Sequence, residues 1–535
     1  MKKLLHISLF VIASIATNAQ ITFQKAYGGT FSENATSVRQ TFDTGYIIAG
    51  TTTSFGSGGR DILVIKTDAL GDTTWTKTFG GAMDNEYGFC VQQTSDSGYI
   101  VSGVASSFAD VAGDMYLIKL NASGDTMWTR TYGGIGYEWG SYVSQTTDGG
   151  YILTGQTPAF GVGGFDAYLV KTDATGNLSW TKTFGGAGTE TGSAVQQTDD
   201  GGYILSGQID SYGAGQGDFY LLKTDSLANV IWAKVIGVAG EESGVTVKQT
   251  SDGGFVIGGS SESTGVLGKD MCLIKTNSLG DTMFAKTYGG SLIDECYEVI
   301  QTNDGGYILC GRSFSFTASA DYDVYVVKTN SQGIMQWSKT YGSTGIASAT
   351  DIAYSIDQTN DGGYIIAGET ATLGTGFKNV YLIKTDSLGN SGCNESIPAT
   401  VSSDFHPQVI AAPTLTSVGG IVSFPATQVN SGSSATNICL SNGIYETHYN
   451  FDATIFPNPF SSIVSLYFNI IRSENSISIS IIDVTGRIAK SILTNNLSSG
   501  NNSIDQDLSE LKNGMYFCKI NSDKNSQTIK LLKNQ

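Results

Sequence analysis

The chain has 535 residues, enough for two or more domains with sizeable cores, and it carries 68 glycines, 26 tyrosines and 24 phenylalanines with only 15% charged residues. That composition excludes a helix-rich or disordered protein and reads as all-β, with frequent turns joining aromatic and β-branched strands. A net charge of −18 excludes nucleic acid and an anionic membrane as partners, because a polyphosphate needs a basic footprint.

At the N-terminus, Lys2 and Lys3 precede an apolar stretch from Leu4 to about Ile15, and Thr17 and Ala19 are placed for cleavage before Gln20. Residues 1–19 therefore read as a secretory signal peptide, absent from the mature protein. Beyond it no apolar run approaches the roughly 20 residues of a spanning helix, so no transmembrane segment is expected in the mature chain.

Residues 20–390 repeat one pattern seven times. A Gly-aromatic step falls at Tyr46, Tyr99, Tyr151, Tyr203, Phe255, Tyr307 and Tyr364, so the spacings are 53, 52, 52, 52, 52 and 57. The lysine that ends "LVIKTD" and its relatives keeps the same beat at Lys66, Lys119, Lys171, Lys223, Lys275, Lys328 and Lys384. Each unit reads as four short strands, with Asp-Gly-Gly in most copies supplying the hairpin turn between the first and second. Four-stranded units of this length predict a β-propeller. The chain opens with a fourth strand, "ITFQKAYGG", and its seventh unit stops after a third, so the first strand is expected to complete the last blade and close a seven-bladed ring.

The turn between third and fourth strands, as in "KTDALGDTTW" and "KTDATGNLSW", resembles the tryptophan-docking turn of pyrroloquinoline-quinone-type propellers and, more loosely, the Asp-box of sialidase-like propellers. In both families the element is structural, which implies that its aromatic docks between blades.

Strand order places the loops after the second and fourth strands on one face of the ring. Five residues past the second-strand glycine stand Phe55, Phe108, Phe160, Tyr212 and Phe316, with Thr264 and Leu373 completing the set. The other loops of that face carry Glu33, Glu86, Glu138, Glu190, Glu242 and Asp294, and Tyr137 and Trp139 break the repeat there. Aromatics beside carboxylates suit a sugar-binding surface, where rings stack on apolar sugar faces and carboxylates accept from hydroxyls. The same carboxylates suit Ca²⁺, a hard cation, and no other cofactor is expected. Strict repetition equally fits loop folding, so Tyr137 and Trp139 are the better ligand contacts. His406 and His448 are the only histidines beyond the leader, which excludes a histidine triad or zinc site from the repeats.

Three functions fit: a non-catalytic surface protein that binds a glycan or protein, a carbohydrate-active enzyme using a carboxylate pair such as Glu138 and Glu190, or a structural or adhesive envelope protein. The near-identity of the repeats favours the first, because an enzyme breaks repeat symmetry at one deep site.

Residues 391–450 hold no Lys or Arg but four of the chain's seven prolines, Pro398, Pro407, Pro413 and Pro425, and read as a linker or small cap. Cys393 and Cys439 bracket it and are candidates for a disulfide in an exported protein. The remaining cysteines, in predicted strands, read as small core hydrophobes.

The last stretch, 451–535, reads as five or six short alternating strands, a small sandwich. It contains Pro457, Asn458, Pro459 and Phe460, then Asp483 to Gly486, Gly514-Met515-Tyr516, and a basic end from Lys530 to Lys533. In that order these motifs resemble the C-terminal sorting domain of type IX secretion cargo in Gram-negative Bacteroidota. The resemblance implies an Ig-like β-sandwich, with the secretion machinery and a sortase as partners. It further implies passage through the periplasm to the outer cell surface or the medium.

Overall fold

The computed structural model describes residues 20–82, 85–108, 113–213, 216–262, 268–317, 321–342, 350–412, 415–417, 421–423, 428–430, 434–441, 451–456, 460–470, 474–483, 487–497, 500–522 and 526–534. The segment expected as a signal peptide, residues 1–19, lies outside them. The chain divides into two compact units, Met1–Gly443 and Ile444–Gln535.

The first unit is built from seven antiparallel sheets. In sheet 1, strands Glu33–Gln40, Tyr46–Thr52, Asp61–Thr67 and Thr73–Gly80 pair in chain order. Sheets 2 to 6 repeat this over 86–133, 139–185, 194–237, 242–289 and 294–341. Sheet 7 takes its first three strands from 351–385 and its fourth from the start of the chain, where Thr22–Gly28 pairs antiparallel with Asn379–Thr385. The second and third strands are buried along nearly their whole length, as strands covered on both faces are. Their apolar residues pack sheet against sheet, and the cluster of Phe23, Val38, Tyr46, Ile365 and Leu382 joins sheet 7 to sheet 1.

The segment "QTNDGGYI", present twice without change, shows why the repeat is so strict. At 301–308, Asp304 accepts from Thr302 Oγ1 at 2.5 Å, from Gly306 N at 3.0 Å and from Lys328 Nζ at 2.8 Å. Gly305 has φ +79°, which favours glycine although Thr44 and Ser97 adopt it in sheets 1 and 2, whereas a Cβ on Gly306 would stand 2.2 Å from the Thr329 carbonyl, so the second glycine is the one that is required. The glutamine binds the preceding sheet: Gln301 Oε1 accepts from Ser251 N at 2.9 Å, and Gln358 Oε1 accepts from Asn303 N at 2.8 Å. The same bond recurs at every junction, and Asn360 N donates to Gln40 Oε1 at 2.8 Å, tying sheet 7 back to sheet 1. Beside each glutamine an aromatic docks edge-on against the next sheet, as Trp75 does on Tyr99 (5.8 Å) and Phe23 on Tyr46 (6.1 Å).

Residues 391–450, expected as a linker or small cap, are described in part, and their described segments form short strands. They run round the outside of the unit and add a fifth strand to each sheet: Glu395–Ser396 on sheet 6, Val401–Asp404 on 5, Gln408–Ala411 on 4, Leu415–Ser417 on 3, Ile421–Ser423 on 2 and Gln428–Asn430 on 1. Ser434–Ser441 then pairs with Thr22–Gly28, which leaves the opening strand between two neighbours and wholly buried. The physical reason is edge satisfaction: each fourth strand otherwise presents a row of unpaired N–H and C=O groups. Phe405, 4% exposed, anchors this belt in the core beside Ala285.

Cys393 is disulfide-bonded, whereas Cys90, Cys272, Cys296, Cys310 and Cys518 are free and buried. Gln24 Nε2 donates to the Cys393 carbonyl at 2.5 Å, and Gln24 is also the register partner of Cys439.

The second unit comprises a three-stranded sheet (Phe451–Phe456, Ile463–Ile470, Gly500–Asp507) and a four-stranded one (Ile488–Leu497, Glu474–Asp483, Gly514–Ser522, Ser526–Lys533). Val464 and Leu466 of the first share a core with Ile479, Ile481, Cys518 and Ile520 of the second.

Non-reducing peptide mapping is expected to join Cys393 to Cys439. That bond would close a loop of some 45 residues around the ring, worth about 4 kcal/mol by chain entropy. A Cys393→Ser variant, or reductant, should therefore lower the melting temperature by several degrees; an unchanged transition would show that the belt holds without it.

Candidate functional site at the hub of the seven sheets

The first strand of each sheet lies at the hub. Arg39 of sheet 1 donates to Glu298 of sheet 6 (Nη2 to Oε1, 2.6 Å), and Lys248 of sheet 5 donates to the Tyr142 hydroxyl of sheet 3 at 2.5 Å. Glu298 also accepts from Ser355 Oγ at 2.7 Å and Ile356 N at 2.9 Å, both on sheet 7. Sheets that are not neighbours thus meet across one central space. Burial works against the charge on Arg39, but Glu298 holds its pKa above the ordinary value. Burial likewise opposes the Lys248 ammonium, which Tyr142 and Glu298 hold up. Burial alone would raise Glu298, and Arg39 and Lys248 bring it below the usual carboxylate range, whereas burial leaves Asp357 raised. These charges form a closed internal network plugging the hub.

Toward the other end of the same strands, the carboxylates singled out in the repeat serve the loops. Glu33 is 1% exposed and accepts from Gly29 N (2.8 Å) and Thr52 Oγ1 (2.8 Å). Glu86 accepts from Gly81 N and Ser107 N, Glu138 from Gly134 N and Thr157 Oγ1, and Glu190 from Gly186 N and Ser211 N. Glu242 and Asp294 accept in the same way from Val238 N and Gly290 N. This is loop capping. Among the described residues no group of three or more His, Cys, Asp or Glu side chains is arranged to hold a metal ion. The repeated aromatics are half-buried plugs: Phe108 lies on Tyr116 at 5.9 Å, Phe160 on Tyr168 at 6.0 Å and Phe316 on Tyr325 at 5.4 Å, Tyr212 packs on the core of sheets 3 and 4, and Phe55 is half-buried in its loop.

Tyr137 and Trp139 are brought together, with ring centroids 5.4 Å apart, and they gain two partners absent from the sequence reading. Tyr87 lies 5.9 Å and Phe89 5.1 Å from Trp139. All four are half-buried, and the exposed Arg60 spans the edge, its Nη1 donating to Tyr87 Oη at 2.6 Å. Tyr87 and Trp139 occupy the same repeat position in sheets 2 and 3. Phe89 sits at a β-bulge, which turns an extra side chain toward the hub. The readable signal was departure from the repeat within the first strands: the position of Trp139 is Asn34 in sheet 1, Thr191 in sheet 4 and Ser243 in sheet 5. A second aromatic group lies on sheets 6 and 7, where Tyr297 and Tyr354 are 5.0 Å apart.

In the second unit, Phe460 N donates to Leu532 O at 2.9 Å, and Lys533, 5% exposed, lies 5.2 Å from the Phe460 ring and donates to Leu508 O at 3.2 Å. Tyr516 Oη donates to Lys512 O at 2.9 Å, and Gly514 opens the strand that pairs with 526–533, with Lys530 opposite Phe517. Pro457, Asn458 and Pro459 lie outside the described residues. Residues 454–534 match the model of the secretion system C-terminal sorting domain. The chain ends in a sorting domain of that family. Such a domain marks type IX secretion cargo, addressed through that machinery to the cell surface or extracellular space in Bacteroidota. The sorting domain's basic end is thus part of its fold, since the lysine at its close is buried. No curated protein matches the chain. Among solved structures it is similar to PorZ of Porphyromonas gingivalis, described as an essential bacterial surface component of the type-IX secretion system. Identity is 8% and the TM-score 0.26, over 94% of this chain and 81% of that one, a score too low to carry an argument.

Two measurements follow from the charges. Glu298→Gln leaves Arg39 and Lys248 buried beside a lost counter-ion and is expected to cost about 3–5 kcal/mol in denaturant unfolding; a loss below 1 kcal/mol would show the network to be slack. Partial burial would raise the turn aspartates, but the threonine hydroxyl and the lysine beside each hold Asp96, Asp148, Asp200, Asp252 and Asp304 at about 2. Their stabilisation is present above the ordinary carboxyl pKa and lost as pH falls from about 4 toward 2. Burial, with Glu86 and Asp351 respectively, pushes Asp61 and Asp323 up to about 7, and burial pushes Asp166 to about 6. Their contribution is full below about pH 4 and lost as pH rises to 7. The melting temperature should therefore peak near pH 4–5; a steady rise from pH 4 to 8 would contradict these assignments.

Proposed function

We propose that the chain is an exported, non-catalytic seven-bladed β-propeller that binds a glycan at its hub mouth, carried out by a sorting domain of Ig-like form. The observation that carries this reading is the platform of Trp139, Tyr137, Tyr87 and Phe89, four rings within 5.1–6.5 Å of a neighbour, half-exposed at the point where the repeat is broken. Rings of that kind stack on the apolar faces of sugars, and Arg60 supplies donors at the edge. Glu138 and Glu190, the pair a carbohydrate-active enzyme would use, are fully buried and bonded into separate loops, so the non-catalytic reading is preferred. A sortase removes the sorting domain after transit, leaving the propeller in the medium or on the cell.

A glycan array probed with the full mature chain is expected to show a defined set of polysaccharide ligands, and Trp139→Ala to weaken binding tenfold or more, as loss of a central aromatic anchor does. Equal binding by wild type and variant would refute the platform's role. Calcium is expected to leave the affinity unchanged.

A further inference from the structure

The platform has a counterpart. Tyr297, at the bulge of sheet 6, and Tyr354, at the bulge of sheet 7, hold the repeat position of Phe89 and therefore stand at its level on the hub wall. Beside them Arg312 lies 4.2 Å from the ring of Tyr322 and donates through Nε to Glu295 at 2.6 Å. Around the ring, sheets 2 and 3 are separated from sheets 6 and 7 by sheet 1 on one side and by sheets 4 and 5 on the other. Among the intervening positions, Thr191 and Ser193 on sheet 4 and Ser243 on sheet 5 are short, hydroxylated and half-buried, and sheet 1 carries the half-buried Asn34 and Thr36. Two aromatic walls thus face one central space across a low polar rim.

We infer that the mouth takes an extended glycan chain laid across the hub, one sugar stacked at the Trp139 wall and a later one at the Tyr297–Tyr354 wall. This rests on the glycan-binding reading above and adds the form of the ligand. The hydroxyl residues between the walls leave the chain unobstructed and offer donors and acceptors to its middle sugars. Linking two weak stacking contacts through one ligand makes the second intramolecular, so affinity grows with length until both walls are spanned.

Calorimetry of the full mature chain with gluco-, xylo- and manno-oligosaccharides of one to eight sugars tests this. For the series that binds, Kd is expected to tighten at least tenfold between two sugars and six and then level off. Tyr354→Ala should flatten that dependence, cutting the gain in affinity between two sugars and six to less than about threefold, and Trp139→Ala should weaken every length. Tyr354→Leu, with an unchanged melting temperature, serves the same purpose should the alanine variant fail to fold. Affinity independent of length, or a length series unaltered by either Tyr354 variant, overturns the extended-chain inference and leaves glycan binding standing. Binding by no oligomer, or a Trp139→Ala variant that binds as wild type does, overturns the glycan reading and the inference with it.

Discussion

The fold depends on one recurring bond, the N–H of a hairpin turn donating to the glutamine side chain of the next sheet. Each such bond contributes only about 1 kcal/mol. Its importance is geometrical: it fixes the angle between successive sheets close to the hub, where a small error would accumulate seven times. Farther out, the docked aromatics set the same angle from a second radius, and in several junctions a tyrosine hydroxyl adds a bond to the next turn, as Tyr288 does to Gly333 O at 2.5 Å. Two restraints at different radii define a wedge, and the same pair of restraints recurs from each sheet to the next.

This explains why the repeat is conservative in some places and free in others. The Gln, Thr, Asp, second Gly and Lys that set the wedge are kept in every sheet, whereas the first Gly of the turn gives way to Thr44 in sheet 1 and Ser97 in sheet 2, which take the same left-handed φ. Hub-facing positions of the first strands are under no such demand, and there the chain carries Arg39, Tyr142, Lys248 and Glu298 in one layer and Trp139, Phe89, Tyr297 and Tyr354 in another. The repeated letters carry the structure, and the exceptions gather on these hub-facing positions. A shared fold says nothing of the ligand.

Much of this was legible in the sequence. The even spacing, the hairpin chemistry and the unmatched opening strand carried the repeat of four-stranded antiparallel sheets and the pairing of Thr22–Gly28 with Asn379–Thr385, because each depends on local signals. The pairing of Trp139 with Tyr137 was visible as a break in pattern. Phe89 was not, because a β-bulge changes the parity of the strand and so the direction in which its side chains point, whereas Tyr87 shares the repeat position of Trp139 and was readable by the same signal. The belt was missed for a different reason. Its strands are two to four residues long except for the last, and they join their sheets through backbone groups, which leaves little side-chain pattern to read. A trace does exist: Pro398, Pro407, Pro413 and Pro425 all fall between belt strands, and the strands begin at 395, 401, 408, 415, 421, 428 and 434, a step of six or seven residues.

The place of the opening strand has a consequence for how the molecule is made. Thr22–Gly28 leaves the ribosome some 350 residues before one of its neighbours, Asn379–Thr385, and earlier still relative to the other, Ser434–Ser441. Until then the growing chain is an open arc with two raw ends. Native contacts so remote in sequence form slowly, and unpaired strands invite wrong partners. A nascent or translocating molecule of this design must be kept from its own kind until its final turn is in hand.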